Sequence, residues 1–362
     1  MTAAPDLSVP AVSARAQEVV GAHHSRLRRK RLILAALVLL TLVVVVADIA
    51  IGGESLRIGD TVRAIFVPWD APVVDTEIVW HIRMPMTVTG ILVGAALSLA
   101  GAEMQTILNN PLAEPYTLGV SAAASFGAAL SLVIGVSAIP VLGLIGTAGT
   151  AWVFAMLTSA VIIGFSVLRG PHTETMVLLG IAMVFLFTAL LSLMQYVASE
   201  AQLQQVVFWT LGSLSRASWP QVGMLAAVLV VAVPLVLRAS WKLTAMRLGD
   251  DRARALGVRV ERLRIVVLAG ISLVAATAVS IAGSIGFVGL VGPHVARMLV
   301  GEDHRYFVTA SLFSGAFLLC ASSLVAKMIV PGVLIPVGII TSIVGVPVFL
   351  GLILSRRRKL WT

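Results

Sequence analysis

Charge is scarce in this chain. Only 12% of its 362 residues are Asp, Glu, Lys or Arg, and the mean hydropathy is +1.01. A soluble domain carries roughly twice that share of charge, so the composition excludes one and predicts an all-α polytopic membrane protein. Cysteine is limited to Cys320, which excludes a disulfide framework. The lysines are Lys30, Lys242, Lys327 and Lys359, and none follows a glycine. A P-loop is therefore absent, and the chain is not expected to cradle ATP by one. Acids at the middle of the apolar runs are missing too. Asp48 and Glu103 lie near the ends of such runs, where water is expected to reach them. That disfavours an ion-coupled carrier built on a midplane carboxylate. His294 and His304 stand apart from one another and from any cysteine, so they lack metal-ligand spacing; capping or loop hydrogen bonds suit them better. No nucleophile or metal constellation marks an intramembrane enzyme.

What is present is a series of apolar runs, most near the ~20 residues that cross the hydrocarbon. They cover about 32–51, 86–107, a run to about 136, 143–168, 174–197, 220–239, 264–283, a short run from Ser284, 306–327 and 341–355. The stretch 328–340 is broken by Pro331, Gly332, Pro336 and Gly338 and reads as re-entrant. About ten transmembrane helices follow, with both termini cytoplasmic. That orientation places most Lys and Arg inside and leaves Arg57, Arg63, Arg83, Arg216 and Lys327 outside. The net charge of +9 thus reflects topology in a lipid bilayer rather than a nucleic-acid partner. Residues 1–31 form a basic cytoplasmic tail, expected to be disordered as far as Arg26. Residues 32–355 form the transmembrane domain, and 356–362 a basic cytoplasmic C-terminus. The first apolar run lacks a small-residue cleavage site and reads as a retained span.

The longest polar run between two apolar blocks is 242–264, KLTAMRLGDDRARALGVRVERLR. It carries Lys242, Arg247, Arg252, Arg254, Arg259, Arg262 and Arg264, which places it on the cytoplasmic side. Asp250 or Asp251 can cap a short helix in it, and Gly257 can end that helix. Charge alone fits a solvated topogenic loop. A second unusual stretch is NNPLAEP at 109–115, where Pro111 and Pro115 forbid a continuing helix and force a shaped turn. The Gly- and Ala-rich runs before and after it suit close helix packing.

Several segments together resemble the FecCD-type permeases of binding-protein-dependent importers. They are RMPMTVTGILVGAALSLAGAEMQTILNNPLAEPYTLGVSAAASFGAAL, FWTLGSLSRASW, RLGDDRARALGV, GSIGFVGLVGPHVARMLVGEDHR and PVGIITSIVGVPVF, in that order. The resemblance runs from about residue 32 to 358. It implies a permease dimer, homo- or heterodimeric, with two cytoplasmic ATP-binding subunits that use ATP and Mg. It also implies an external substrate-binding lipoprotein or periplasmic protein, a location in the cytoplasmic membrane, and a cargo of iron(III)-siderophore, haem or cobalamin. This chain would be a non-catalytic transport subunit with no metal or cofactor of its own. By the same resemblance Leu248, Gly249, Asp250, Asp251, Ala253, Leu256 and Gly257 form the helix that couples to the ATPase. Leu112, Thr173 and Thr175 lie near a cytoplasmic gate, and Arg83, Met86 and Lys327 receive the binding protein. The sequence departs from the family pattern at Met86, at Ser322 and Lys327, and at Leu334, all on the expected outer face.

Overall fold

The computed structural model describes residues 9–358 apart from 52–55, 57, 136–139, 331, 332 and 334; Leu334 therefore lies outside the described residues. Among these residues every regular element is helical. In chain order they are α1 (Val9–Ala50), α2 (Ile58–Phe66), α3 (Val73–Glu77), α4 (Met84–Ile107), α5 (Val120–Val133), α6 (Pro140–Arg169), α7 (Thr173–Val197) and α8 (Glu200–Thr210). There follow α9 (Trp219–Arg238), α10 (Ser240–Met246), α11 (Asp250–Ala255), α12 (Val260–Ala282), α13 (Val288–Val300), α14 (His304–Ile329) and α15 (Val337–Arg358). Seven segments are long and apolar enough to cross a membrane, in α1, α4, α6, α7, α9, α12 and α14. The shorter apolar helices α5, α13 and 337–351 of α15 take the positions of the three remaining predicted spans.

α4 is the central element. Most of its side chains are buried, and it packs against α14, α13, α12 and α9. Small residues make that possible. A Cβ on Gly101 would lie 1.8 Å from the Gly289 carbonyl oxygen of α13, and one on Gly94 would lie 2.4 Å from that of Gly315 in α14. Lipid gives helices no hydrophobic drive to associate, so backbone proximity and dispersion contacts supply the attraction. Between the two glycines, Ser98 donates to the Ser311 carbonyl at 2.6 Å.

The short helices are too short to span alone: α13, at 13 residues, reaches only about 20 Å. The chain before it is irregular from Gly283 (φ +79°) to Phe287, which takes the left-handed conformation at φ +67°. Just before this stretch Ser213 N–H donates to the Ala282 carbonyl at 2.7 Å, and Ser284, Gly286 and Phe287 line a cleft. Irregular backbone at membrane depth persists only when buried in protein or lining a cavity.

Two sequence expectations need correction. Helix α1 begins at Val9, not near Arg26, because Ala, Arg, Gln and Glu in 12–18 are good helix formers. The acids near span ends do not reach water. Asp48 and Glu103 are both fully buried. Lys327 Nζ lies 2.8 Å from Asp48 Oδ1, and Thr87 donates to Asp48 Oδ2 at 2.5 Å. Glu103 faces His304 at 3.6 Å.

Candidate functional site

The polar run at 242–264 folds into two short helices and a turn at the end of the bundle where the basic residues collect. α10 buries Leu243, Ala245 and Met246. Gly249, at φ +96°, reverses the chain into α11. α11 then ends as the sequence suggests. Gly257, at φ +83°, donates to the Arg254 carbonyl at 2.9 Å, and Val258 N–H donates to the Ala253 carbonyl at 3.0 Å. This Schellman pattern needs a left-handed residue, which glycine supplies without strain. Ala253 and Val258 are buried beneath it. Leu248 and Leu256 are left 53% and 57% exposed, two apolar points on an otherwise charged surface. Asp251 points outward and pairs with Arg254 at 3.0 Å.

One coupling assignment and one capping expectation are corrected by this geometry. Ala253 is fully buried against its own chain, so it supports the segment rather than facing a partner. Asp250 caps nothing: α11 has no side-chain N-cap, and the Asp250 carboxylate instead accepts from Arg264 Nη2 at 2.9 and 3.0 Å.

Arg264 is the residue the sequence reading undervalued. It is 3% exposed, in the second turn of α12. Its Nε donates to the Ile107 carbonyl at 2.7 Å, at the end of α4, and its Nη1 donates to the Pro171 carbonyl at 2.8 Å, in the turn before α7. One guanidinium therefore holds together the α11 segment, the base of the NNPLAEP turn and the approach to α7. Its signal was available: it is the last cation before the uninterrupted apolar run IVVLAG, where a charge must find partners.

The expected gate residues stand on the two elements that Arg264 joins. Leu112 is half-exposed in the turn, and its N–H donates to Asn110 Oδ1 at 3.0 Å. Thr173 and Thr175 are half-buried in the first turn of α7. In the same turn Glu114 is buried. Its carboxyl accepts the Phe287 N–H at the start of α13, and burial raises its pKa to about 7 against the lowering effect of that hydrogen bond. Glu114, Thr210, Ser284, Phe287 and Ser342 line a cleft of about 500 Å³. A second polar layer closes the same end of the bundle. His304 is fully buried, with Nε2 3.2 Å from Thr106 Oγ1 and Nδ1 3.5 Å from Thr244 Oγ1. Arg247 and Arg297 both pair with Glu302.

At the opposite end the three docking candidates are not presented to a partner. Arg83 is 5% exposed, and it donates to the Ile49 and Ala50 carbonyls at 3.1 and 3.2 Å. It closes the last turn of α1, whose carbonyls lack intrahelical donors. Lys327 is buried on Asp48. Met86 is half-buried against the core. The resemblance placed all three on a docking face; in the fold Arg83 and Lys327 fasten α1 to the start of α4 and to α14, and Met86 packs on the core.

The described residues thus form ten apolar helices, seven long and three short, with a two-helix elbow tied to a proline turn. The FecCD transport family model matches residues 7–355. The chain belongs to the FecCD transport family. It is accordingly an ABC importer permease subunit and a multi-pass membrane protein. The Hemin transport system permease protein HmuU of Yersinia pestis is 33% identical over 91% of this chain and 97% of that protein. A Helicobacter pylori permease named for iron chelatin transport is 34% identical over 87% of this chain and 96% of that one. A solved structure described as an inward-facing metal-chelate type ABC transporter superposes with a TM-score of 0.77 at 31% identity. It covers 89% of this chain and 99% of the solved one.

Proposed function

We propose that this permease imports an iron(III)-siderophore across the cytoplasmic membrane by alternating access. Two copies, or this chain and a related one, enclose the pathway. Two partner subunits bind and hydrolyse ATP with Mg, and an external binding protein or lipoprotein delivers the cargo. This chain performs no covalent chemistry. In this reading 240–264 lies in the cytoplasm, and Leu248 and Leu256 seat in an apolar cleft of the ATPase, as amphipathic helices do in partner grooves.

The observation that carries the mechanism is the Arg264 brace. A push on α11 is transmitted through Asp250 to a rigid, buried guanidinium, and from there to the ends of α4 and α7. Arg suits this task because its planar fork holds several acceptors in fixed directions. The relatives named for hemin and iron chelatin support a chelated metal as cargo, and the hemin relative supports haem as the second reading.

The test is uptake by proteoliposomes that contain the complete transporter and its binding protein. Labelled ferric siderophores should enter with ATP and compete with one another, and a catalytically inactive ATPase partner should abolish entry. Entry of haem or cobalamin with exclusion of siderophores would replace the cargo assignment. Entry under an ion gradient without ATP would overturn the mechanism.

A further inference from the structure

Six of the seven cations of the 240–264 segment divide into two groups, and the exposed Arg252 stands apart from both. Arg247, Arg254 and Arg264 are each paired with a carboxylate. Lys242, Arg259 and Arg262 have no acidic partner among the described residues, and all three line one cleft of about 430 Å³. Gly257, Val258, Leu263 and Val266 complete its walls. The nearest acid in sequence, Glu261, is turned away and held by Arg254 at 2.8 and 3.1 Å. Three exposed like charges on one cleft make its potential positive and attract an anion. The start of α12 adds its positive dipole end to the same place.

The surroundings say which anion. Val266, one turn above Arg262 on α12, is 59% exposed. On the neighbouring α9, Val230, Val231 and Leu235 are exposed as well. Trp241 stands half-exposed beside the cleft with Lys242 Nζ 5.7 Å from its ring centroid. Cations at the foot of exposed apolar helix faces, with a tryptophan at the boundary, mark the level of lipid headgroups. We propose that this cleft binds the phosphate of an anionic phospholipid of the cytoplasmic leaflet. An acyl chain would run up the exposed faces of α9 and α12. Because Gly257 and Val258 form one wall, the bound lipid would brace the turn that ends α11. The proposal rests on the cytoplasmic placement of 240–264 given above.

The experiment uses the assembled transporter, wild type and Lys242→Gln/Arg259→Gln/Arg262→Gln. Native mass spectrometry counts retained lipids. Thermal midpoints are then read with added phosphatidylglycerol, phosphatidylcholine or inorganic phosphate. Each cation near an anionic surface contributes roughly five-fold to affinity, so the triple variant should bind phosphatidylglycerol roughly a hundred-fold more weakly. Arg262→Gln alone, less disruptive to folding, should weaken it roughly five-fold. Phosphatidylcholine and inorganic phosphate should protect neither form. Equal lipid retention and protection in both forms would overturn the proposal. Protection of the wild type by inorganic phosphate would make the cleft a free-anion site instead. Loss of ATPase assembly with lipid binding unchanged would assign the cations to the protein partner. Failure of the wild-type transporter to import chelate with ATP, with phosphatidylglycerol binding weakened in the variants as expected, would count against the transport mechanism alone.

Discussion

Arg264→Met tests the transmission reading most directly. Methionine fills much of the same volume and is tolerated in the helix, so the change removes the guanidinium and little else. Three acceptors lose their donor. The Ile107 carbonyl is in a buried setting and suffers the full desolvation penalty, whereas Pro171 and Asp250 are partly exposed and can take up water. Removing one partner of a buried charged network costs about 3–5 kcal/mol. Partial rehydration places this one near the lower figure. A local loss of about 3 kcal/mol changes the population of the braced arrangement by roughly a hundred-fold.

The loss falls between α11 and the ends of α4 and α7, not on the surface that carries Leu248 and Leu256. The variant transporter should therefore still assemble with its ATPase and still hydrolyse ATP, while chelate uptake per ATP falls at least about ten-fold. Phosphate release and uptake are measured in the same proteoliposomes. Arg264→Lys should fall between wild type and Met, since a point charge on a flexible stem cannot hold three acceptors at once. Asp250→Asn, which spares both carbonyl contacts, should lose less than Met. Normal uptake per ATP in Arg264→Met would refute the reasoning. So would a loss of hydrolysis and uptake in equal proportion, because that is the signature of simple misfolding.

Leu256→Asp should leave the permease in the membrane but sharply reduce both ATPase co-purification and uptake; retention of the ATPase would show that Leu256 is not buried by it. Gly101→Ala should destabilise the bundle by about 3 kcal/mol or more, since only backbone faces the new methyl and neither α4 nor α13 can yield locally; an unchanged thermal midpoint in detergent would contradict the close approach. Glu114 is protonated more readily in the folded protein than in the unfolded chain. Stability should therefore fall as pH rises from about 4.5 through about 7, by up to about 3 kcal/mol, and Glu114→Gln should flatten that slope. A slope that survives the substitution would assign it to another group.

The apolar periods and the basic turns made the membrane bundle legible, because length and hydropathy act locally along the chain. The end of α11 was legible for the same reason: Gly257 followed by a buried valine is a local signal. The start of α8 was equally readable, though the sequence reading passed over it. Ser199 and Gln202 form a capping box, with Ser199 N–H donating to Gln202 Oε1 at 3.0 Å. What could not be read was which charges face inward. Arg83 and Lys327 stand at helix ends, where a cation usually reaches water. Nothing local shows that Ile49 and Ala50 present bare carbonyls to the first, or that Asp48 lies beside the second.

That distinction bears on how this permease moves. A charge buried with a partner from another helix fixes one relative position of the two helices, because any other leaves it unpaired at a cost of several kcal/mol. At one end Lys327–Asp48 and Arg83 fasten α1 to α14 and α4. At the other end Arg264 and His304 fasten α10, α11 and α12 to α4, α14 and the turn before α7. The glycine contacts along α4 add a third constraint between the two ends. α4, α13 and α14, joined by these contacts with α1, are thus held as one unit. α7 is differently placed. Of its 25 residues only Met176, Gly180 and Phe187 are buried, and the brace reaches it only through the Pro171 carbonyl. Motion driven from α11 should therefore displace α7 against a rigid α4–α13–α14 unit, with Leu112 on one side of the opening and Thr173 and Thr175 on the other. A spin-label pair on Leu112 and Thr173 should change separation during ATP turnover, whereas a pair on α13 and α14 should not.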